Sequence, residues 1–508
     1  MMFLKFQYIA VLTILQCIAR AAVITDYLIG KQLLNKRESY TAQDYAVSTL
    51  PSLDGIPTEQ IPQMFAGYVD IDQSIDEKYF FFRFNKTQAS NNNRLIFWYN
   101  GGPGCSSMDG ALLESGPLFV NQEGKLEYKK GTWLETGDLV YVDQPAGTGF
   151  SETEQPDSEL NKIADDMLTF FEKYFALFPE DLGKEIYLGG ESYAGQYIPY
   201  FGARILTQAA DKYNLKGLIM INGYIYPDVQ NLSIFDYALD NKLITDAQYN
   251  SRKVQQMIAA CNTTIAQTQE EYASIFKTME QTGEYESTDG SDSNKVEDDD
   301  CSSILEALLD MTLDKSAPTD QQCLNQYDFS LRDSYPACGM NWPVEEPALN
   351  TFLNEQSVYA DLHLDGSQKW TECADAPYNA LVNHNSYPAF FKLPYILSKV
   401  KIMLMVGEND LVCNIYGMQD MVNKLTWGSK STPGYSNGVN WGDLTIADNS
   451  TVFGQAKYED GLWLAKIAGA SHMVPYDHAV ASRAAIDLFF DDYSLDGTTY
   501  VAKSYGDN

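Results

Sequence analysis

Short runs of β-branched and aromatic residues at 94–99, 139–142, 185–188, 218–221, 402–406 and 462–467 each stop at loop signals, a pattern that predicts buried strands. Between some of them, at 162–178 and 197–210, apolar residues recur at helical spacing. Runs that are apolar throughout belong to strands covered on both faces, and strands that alternate with helices favour a mostly parallel sheet. The expected fold class is therefore α/β, with helices on both faces of a mostly parallel central sheet.

From about Tyr224 to Asn385 the alternation fades into helix-like pieces and sheet-like runs resume at Ile402. This divides the chain into a core of 61–223 and 386–495 and a cap inserted over the sheet at 224–385. Residues 23–60 form an N-terminal segment and 496–508 a tail. Within the cap, 280–300 reads EQTGEYESTDGSDSNKVEDDD and is expected to be a disordered acidic loop.

With 508 residues, 45% of them hydrophobic, the chain can bury a large core. Its net charge of -34 makes nucleic acid and anionic membrane surfaces poor partners and attracts cationic ligands. The same charge also suits a protein kept soluble in an acidic compartment. Residues 1–22 have signal-peptide anatomy: Lys5, an apolar run at 8–18, and the exit Ala19-Arg20-Ala21. That run is shorter than the ~20 residues of a spanning helix, and the sequence downstream carries no second one, so no membrane anchor is expected in this chain. Lys36-Arg37 either ends a short propeptide or lies on a solvated helix face. Outside the signal lie Cys105, Cys261, Cys301, Cys323, Cys338, Cys373 and Cys413, an odd number that leaves one thiol over in an oxidising compartment. Sequons at Asn85, Asn231, Asn262 and Asn449 fit a glycosylated lumenal protein.

Loops at the carboxyl ends of parallel strands carry the site in such sheets, and three of them end in reactive residues. The first is Gly189-Gly190-Glu191-Ser192-Tyr193-Ala194-Gly195. A nucleophile on a sharp strand-to-helix turn needs small residues two positions to either side, here Gly190 and Ala194. Such a pattern arises about 0.3 times by chance in a chain of this length, so by itself it also reads as a glycine turn with a serine helix cap. The second loop carries Asp410 and the third His472, and the order Ser192, Asp410, His472 is that of α/β-hydrolase triads. Singly, the acid is an ordinary loop residue and the imidazole a satisfied histidine; together with the turn they point to one catalytic set. Among His363, His384, His472 and His478 no zinc-peptidase motif occurs, and no metal or other cofactor is expected.

WYNGGPGCSSMDGALLESGP (98–117), DQPAGTGFS (143–151), GESYAGQYIP (190–199), GENDLVCN (407–414) and ASHMVP (470–475) resemble the diagnostic blocks of serine carboxypeptidases, and the resemblance runs from about residue 60 to 490. IPQMFAGY (61–68) and PACGMNWP (336–343) are most similar to the fungal pheromone-processing, carboxypeptidase D type enzymes, which trim carboxyl-terminal Lys and Arg. The resemblance implies an α/β-hydrolase fold with a helical, disulfide-linked cap. It makes Ser192 the nucleophile, His472 its base, Asp410 the group that orients the imidazole, and the backbone N–H groups of Gly102 and Tyr193 the oxyanion hole. Asn100, Gly101, Glu114 and Glu191 would hold the substrate's terminal carboxylate, the two acids staying protonated because each raises the other's pKa. Asp109 would line the pocket of the departing residue and attract Lys or Arg; the alternative is a helix cap near Ser107. By the family pattern the disulfides are Cys105–Cys373, Cys261–Cys338 and Cys301–Cys323, with Cys413 a buried free thiol.

The activity implied is release of carboxyl-terminal residues, preferentially Lys and Arg, from peptides and precursor proteins at acidic pH in the secretory pathway. The relatives of this processing type continue into an acidic tail and a membrane anchor, whereas this sequence stops shortly after Asp491, so trans-Golgi residence stands beside a vacuolar or secreted location. Alternatives are a broad-specificity vacuolar-type carboxypeptidase, an acyltransferase using the same triad, and a lumenal protective protein with a vestigial site.

Overall fold

The computed structural model describes residues 41–502 apart from 87–92, 286–298, 365, 367, 383–385 and 448. The signal peptide, Lys36-Arg37 and residues 503–508 lie outside the described residues. The chain divides into two units, 1–46 and 47–508. In the first, a 3-10 turn over Ala42–Tyr45 is capped by Asp44, whose carboxylate accepts from the Thr41 N–H at 2.7 Å.

The second unit holds the main sheet, built from β1 (Gln63–Asp72), β2 (Glu77–Asn85), β3 (Arg94–Tyr99), β4 (Asp138–Val142), β5 (Glu185–Glu191), β6 (Leu215–Ile221), β7 (Lys401–Gly407), β8 (Gly442–Ile446), β9 (Asn449–Glu459), β10 (Leu462–Ile467), β11 (Tyr493–Asp496) and β12 (Thr499–Ala502). They lie side by side in the order β1-β2-β4-β3-β5-β6-β7-β10-β9-β8-β12-β11. The block from β4 to β10 is parallel throughout, and antiparallel pairs flank it on both sides.

Successive residues of a strand point to opposite faces, which explains why the central runs are apolar without alternation. Ile96 and Trp98 of β3 join one core, whereas Phe97 between them packs edge-on against Phe171 (4.7 Å) and Tyr174 (5.3 Å) of helix α1, Leu160–Leu177. In β6, a Cβ on Gly217 would lie 2.4 Å from Phe489, on helix α3 (Ala479–Phe489). Leu218, the next residue, meets α2 (Ala194–Gln208), where a Cβ on Gly202 would lie 3.1 Å away. Helices α2 and α3 therefore cover opposite faces of the sheet.

Between β6 and β7 the chain is mainly helical, with Arg252–Glu271, Ala273–Thr282, Asp299–Met311 and Glu346–Leu353 among its elements. Two of the three disulfides correct the expected pairing. Cys105–Cys373 forms as expected, but Cys261 bonds to Cys301 and Cys323 to Cys338, in place of Cys261–Cys338 and Cys301–Cys323. The reason is local packing: helices Arg252–Glu271 and Asp299–Met311 lie against each other and bring Cys261 and Cys301 within 4.8 Å at Cα. Cys323 and Cys338 close a loop separated by only 15 positions. Cys413 is buried and in no disulfide.

Three further expectations need correction. The acidic stretch is ordered at its ends: 280–282 finish a helix, and Glu284 pairs with Arg204 Nε and Lys392 Nζ, each at 3.1 Å. The tail is not separate, because β12 pairs with β8 and Tyr493 and Tyr500 pack on Trp463. The Asn231 sequon is buried, its amide donating to the Tyr224 hydroxyl at 2.6 Å, so it offers no surface acceptor for a glycan. Asn262 is exposed and Asn85 half-buried, while the side chain of Asn449 lies outside the described residues.

Candidate active site

Strand β5 ends at Glu191 and α2 begins at Ala194, so the chain must reverse within two residues. Ser192 takes that corner with φ +60°, a left-handed conformation unusual for a residue with a side chain. Its carbonyl accepts from the N–H groups of Gly195 (2.9 Å) and Tyr224 (2.8 Å), which over-determine the turn. A Cβ on Gly190 would lie 2.1 Å from the Tyr99 carbonyl, so only glycine fits there. The end of β3 approaches equally closely: a Cβ on Gly101 would lie 2.4 Å from Tyr193 N and 2.7 Å from the Ser192 Cβ.

Loops after β7 and β10 bring Asp410 and His472 to the same end of the sheet. His472 Nδ1 lies 2.7 Å from Asp410 Oδ2, its N–H donating to the carboxylate. Asp410 is fully buried and further held by the Asn222 amide (2.7 Å) and the N–H groups of Val412 (2.9 Å) and Cys413 (3.1 Å). Tyr327, from the cap, accepts the backbone N–H of His472 at its carbonyl (2.8 Å) and sets its ring 5.1 Å from the imidazole. Ser192 and His472 line one open cavity with Asn100, Gly101, Gly102, Asp109, Glu191 and Glu372.

Beside the serine sits a pair of buried acids. The Asn100 side-chain amide donates to Glu114 Oε1 and to Glu191 Oε1, both at 3.0 Å, while its oxygen accepts from Trp98 Nε1 (2.7 Å) and the Gly110 N–H (3.2 Å). The other oxygens of Glu114 and Glu191 are buried and, among the described residues, receive no N–H or hydroxyl donor, so ionising both acids side by side is disfavoured. Burial, then the charge of Glu114, pushes Glu191 well above the ordinary carboxylate range; burial raises Glu114 too, opposed by its hydrogen bonds with Glu191 and Asn100. Of the two, Glu191 is the more strongly raised.

A second acidic group was not legible in the sequence. Carboxylate oxygens of Asp109, Glu346 and Glu372 lie within 4.8 Å of one another. Asp109 is buried, makes no capping hydrogen bond, and leaves Oδ1 without a donor, which removes the helix-cap alternative. Burial raises Glu372 to about 7, burial and Glu372 raise Glu346 to about 9, and burial with both neighbours raises Asp109 well above its usual value. Glu372 comes from a distant segment that the Cys105–Cys373 bond fastens to the 100–107 loop. Its carbonyl accepts the Ser106 N–H at 2.7 Å, so accepting that disulfide was the one signal able to find it.

Fold and site define an α/β hydrolase with its serine on the turn after a central parallel strand. The serine carboxypeptidase family model matches residues 55–492, and the chain belongs to that family. It is 39% identical over 472 residues to the pheromone-processing carboxypeptidase KEX1 of Debaryomyces hansenii, covering 91% of this chain and 66% of that protein. With the enzyme of the same name from Candida albicans it is 39% identical over 471 residues, covering 90% of this chain and 64% of the relative. The crystal structure of a prohormone-processing carboxypeptidase from Saccharomyces cerevisiae superposes with a TM-score of 0.81 at 35% identity, covering 92% of this chain and all of that one. The chain thus spans about two thirds of the length of these curated relatives. Among the described residues no helix is long and apolar enough to cross a membrane.

Proposed function

We propose that the protein is a serine carboxypeptidase that removes carboxyl-terminal Lys and Arg from peptides and precursor proteins in the secretory pathway. The observation that carries this reading is the proton-sharing pair Glu114 and Glu191, fixed by Asn100 in the cavity of Ser192 and His472. An endopeptidase has no need of a protonated acid pair beside its nucleophile. A terminal carboxylate does, because Glu191 can donate to it where an ionised acid would repel it.

In the mechanism, Ser192 Oγ attacks the last peptide carbonyl while His472 takes its proton, and Asp410 holds the imidazole in the required orientation. The N–H groups of Gly102 and Tyr193 stabilise the oxyanion, and Gly101, without a Cβ, lets the β3 end approach the elbow. His472 then protonates the departing amine; water, activated by the same imidazole, cleaves the acyl-enzyme and returns the proton. Asp109, Glu346 and Glu372 support preference for a basic departing residue, because a cationic side chain is the ligand that three crowded carboxyl groups accept best. Two names among the relatives, pheromone-processing and prohormone-processing, agree with such a substrate, and three disulfides suit an oxidising compartment.

The test is release of single amino acids from peptides ending in Arg, Lys, Leu or amidated Arg between about pH 4 and 8, with Ser192→Ala as control. Release of Arg and Lys from free-acid peptides, weakening at high pH and absent in the variant, is expected. Equal activity in Ser192→Ala, or equal cleavage of the amide, would overturn the reading.

A further inference from the structure

One buried cation near the site has no part in that mechanism. Lys129 follows the short hairpin Leu118–Val120 and Leu126–Tyr128, and its side chain is buried. The ammonium donates to the carbonyls of Leu113 and, at 3.4 Å, Tyr476, with the rings of Phe119 and Tyr476 5.1 and 5.8 Å away. Leu113 immediately precedes Glu114; Tyr476 lies in the turn Val474–Asp477 just beyond His472. One ammonium therefore ties the arm carrying the carboxylate-binding pair to the arm carrying the histidine.

A buried ammonium on carbonyls is a costly choice where a Met of similar length would fill the same space. What the charge adds is a field. The carboxylates facing Lys129 are Glu114 from the 110–114 turn, Asp477 from the histidine arm, and Glu345 from the cap. Asp477 accepts the Ser471 N–H at 2.9 Å, and Glu345 accepts from Tyr476 Oη at 2.6 Å and Gln122 Nε2 at 3.1 Å. Glu114 faces, besides Lys129, Asn100, Glu191 and the His472 imidazole. Glu191 faces Glu114, Asp410, Asn100 and Asp109. The cation faces Glu114 and favours its ionised form, which biases the shared proton toward Glu191, beside Ser192.

We propose that Lys129 is a positioning residue for the substrate's terminal carboxylate: it pins the Glu114 arm to the His472 arm and holds the shared proton on Glu191. The role rests on the carboxypeptidase reading above. Burial lowers Lys129 to about 7, so the cation is present throughout the acidic range and fades above it.

The experiment compares wild type, Lys129→Met and Lys129→Arg in the full chain. It uses a free-acid peptide and a matched peptide ester between about pH 5 and 8, with fluorophosphonate titration counting competent serines. For Lys129→Met, KM for the free acid is expected to rise about tenfold while ester turnover per titrated serine changes less than about twofold. The alkaline limb of its free-acid profile should move up by about one unit, because removing a cation lets the pair keep its proton longer. Lys129→Arg, charged throughout, should restore most of the free-acid KM. Equal losses on ester and free acid would reduce Lys129 to a packing residue, and an unchanged profile would remove it altogether. Should Lys129→Met yield no titratable serine, Lys129→Arg decides: a free-acid profile whose pH dependence merely follows that of the ester overturns the proposal. Wild type without serine-dependent release of a terminal residue would sink the parent reading first, and this one with it.

Discussion

Glu372→Gln is the sharpest test of the basic preference, because its size follows from the pocket. Two unit charges about 5 Å apart at an effective dielectric of ~20 attract by roughly 3 kcal/mol. At pH 6, Glu372, raised to about 7, must first release its proton to pair with a substrate cation, which costs about 1.4 kcal/mol. The remainder of ~2 kcal/mol corresponds to roughly 30-fold in kcat/KM for a terminal Arg over a terminal Leu. Glu346, raised to about 9, would cost about 4 kcal/mol to ionise at that pH, so Glu372 is the group that takes the charge. The assay is competitive release from an equimolar pair of peptides differing only in terminal Arg or Leu. Glu372→Gln should lower the Arg:Leu ratio about 10- to 30-fold with little change for Leu. In wild type the ratio should rise about fivefold from pH 6 to 7 as most of the cost of deprotonation disappears, even while overall cleavage falls. A ratio unmoved within twofold by both the substitution and the pH change would refute the pocket assignment.

Glu191→Gln keeps a hydrogen-bond donor but no titration, so the alkaline limb for free-acid peptides should flatten; a pH profile identical to wild type would exclude a role for the Glu191 proton. Gly101→Ala puts a methyl 2.4 Å from Tyr193 N and is expected to cost about 100-fold in kcat with the fold intact, which circular dichroism beside single-turnover rates would establish. Outside the cavity lining, Glu77 and Asp157 are raised to about 7 and 8, mainly by burial with Asp166 adding charge, and share Lys162 with it. Raised carboxyl groups contribute stability that is complete below their unfolded values, near 4, and is lost as pH climbs through about 7 and 8. Thermal melts of Asp157→Asn should therefore lose less between pH 5 and 8 than wild type, and parallel losses would contradict the account.

The sheet centre was legible because burial on both faces writes itself as uninterrupted apolar runs such as Leu95 to Tyr99, and helices α1 and α2 lie within a few residues of their expected bounds. The flanking strands were not. In β2 the aromatic run is broken by Arg83, which the fold satisfies with Asp181 at 2.8 Å, a partner nearly a hundred positions away. Strands β8, β9, β11 and β12, at one side of the sheet, mix polar with apolar residues and give no such signal. The structure brings Ser192, Asp410 and His472 together because each directly follows a legible strand. Glu346, Glu372 and Lys129 escaped notice, since each comes to the cavity or to the residues around it through tertiary packing that no spacing encodes. The same holds for the cysteines: Cys261 finds Cys301 because two helices lie together, and nothing in their spacing says so.

The Cys105–Cys373 bond joins the 100–107 loop to the segment that supplies Glu372. On the proposed reading, both ends of one amino acid, its carboxylate and its side chain, are gauged within one covalently closed frame, to which the sheet adds Glu191 beside Ser192. Glu372 is the part of that frame which the bond fastens from afar, so a reducing environment is expected to blur which residues are removed before it slows the removal itself.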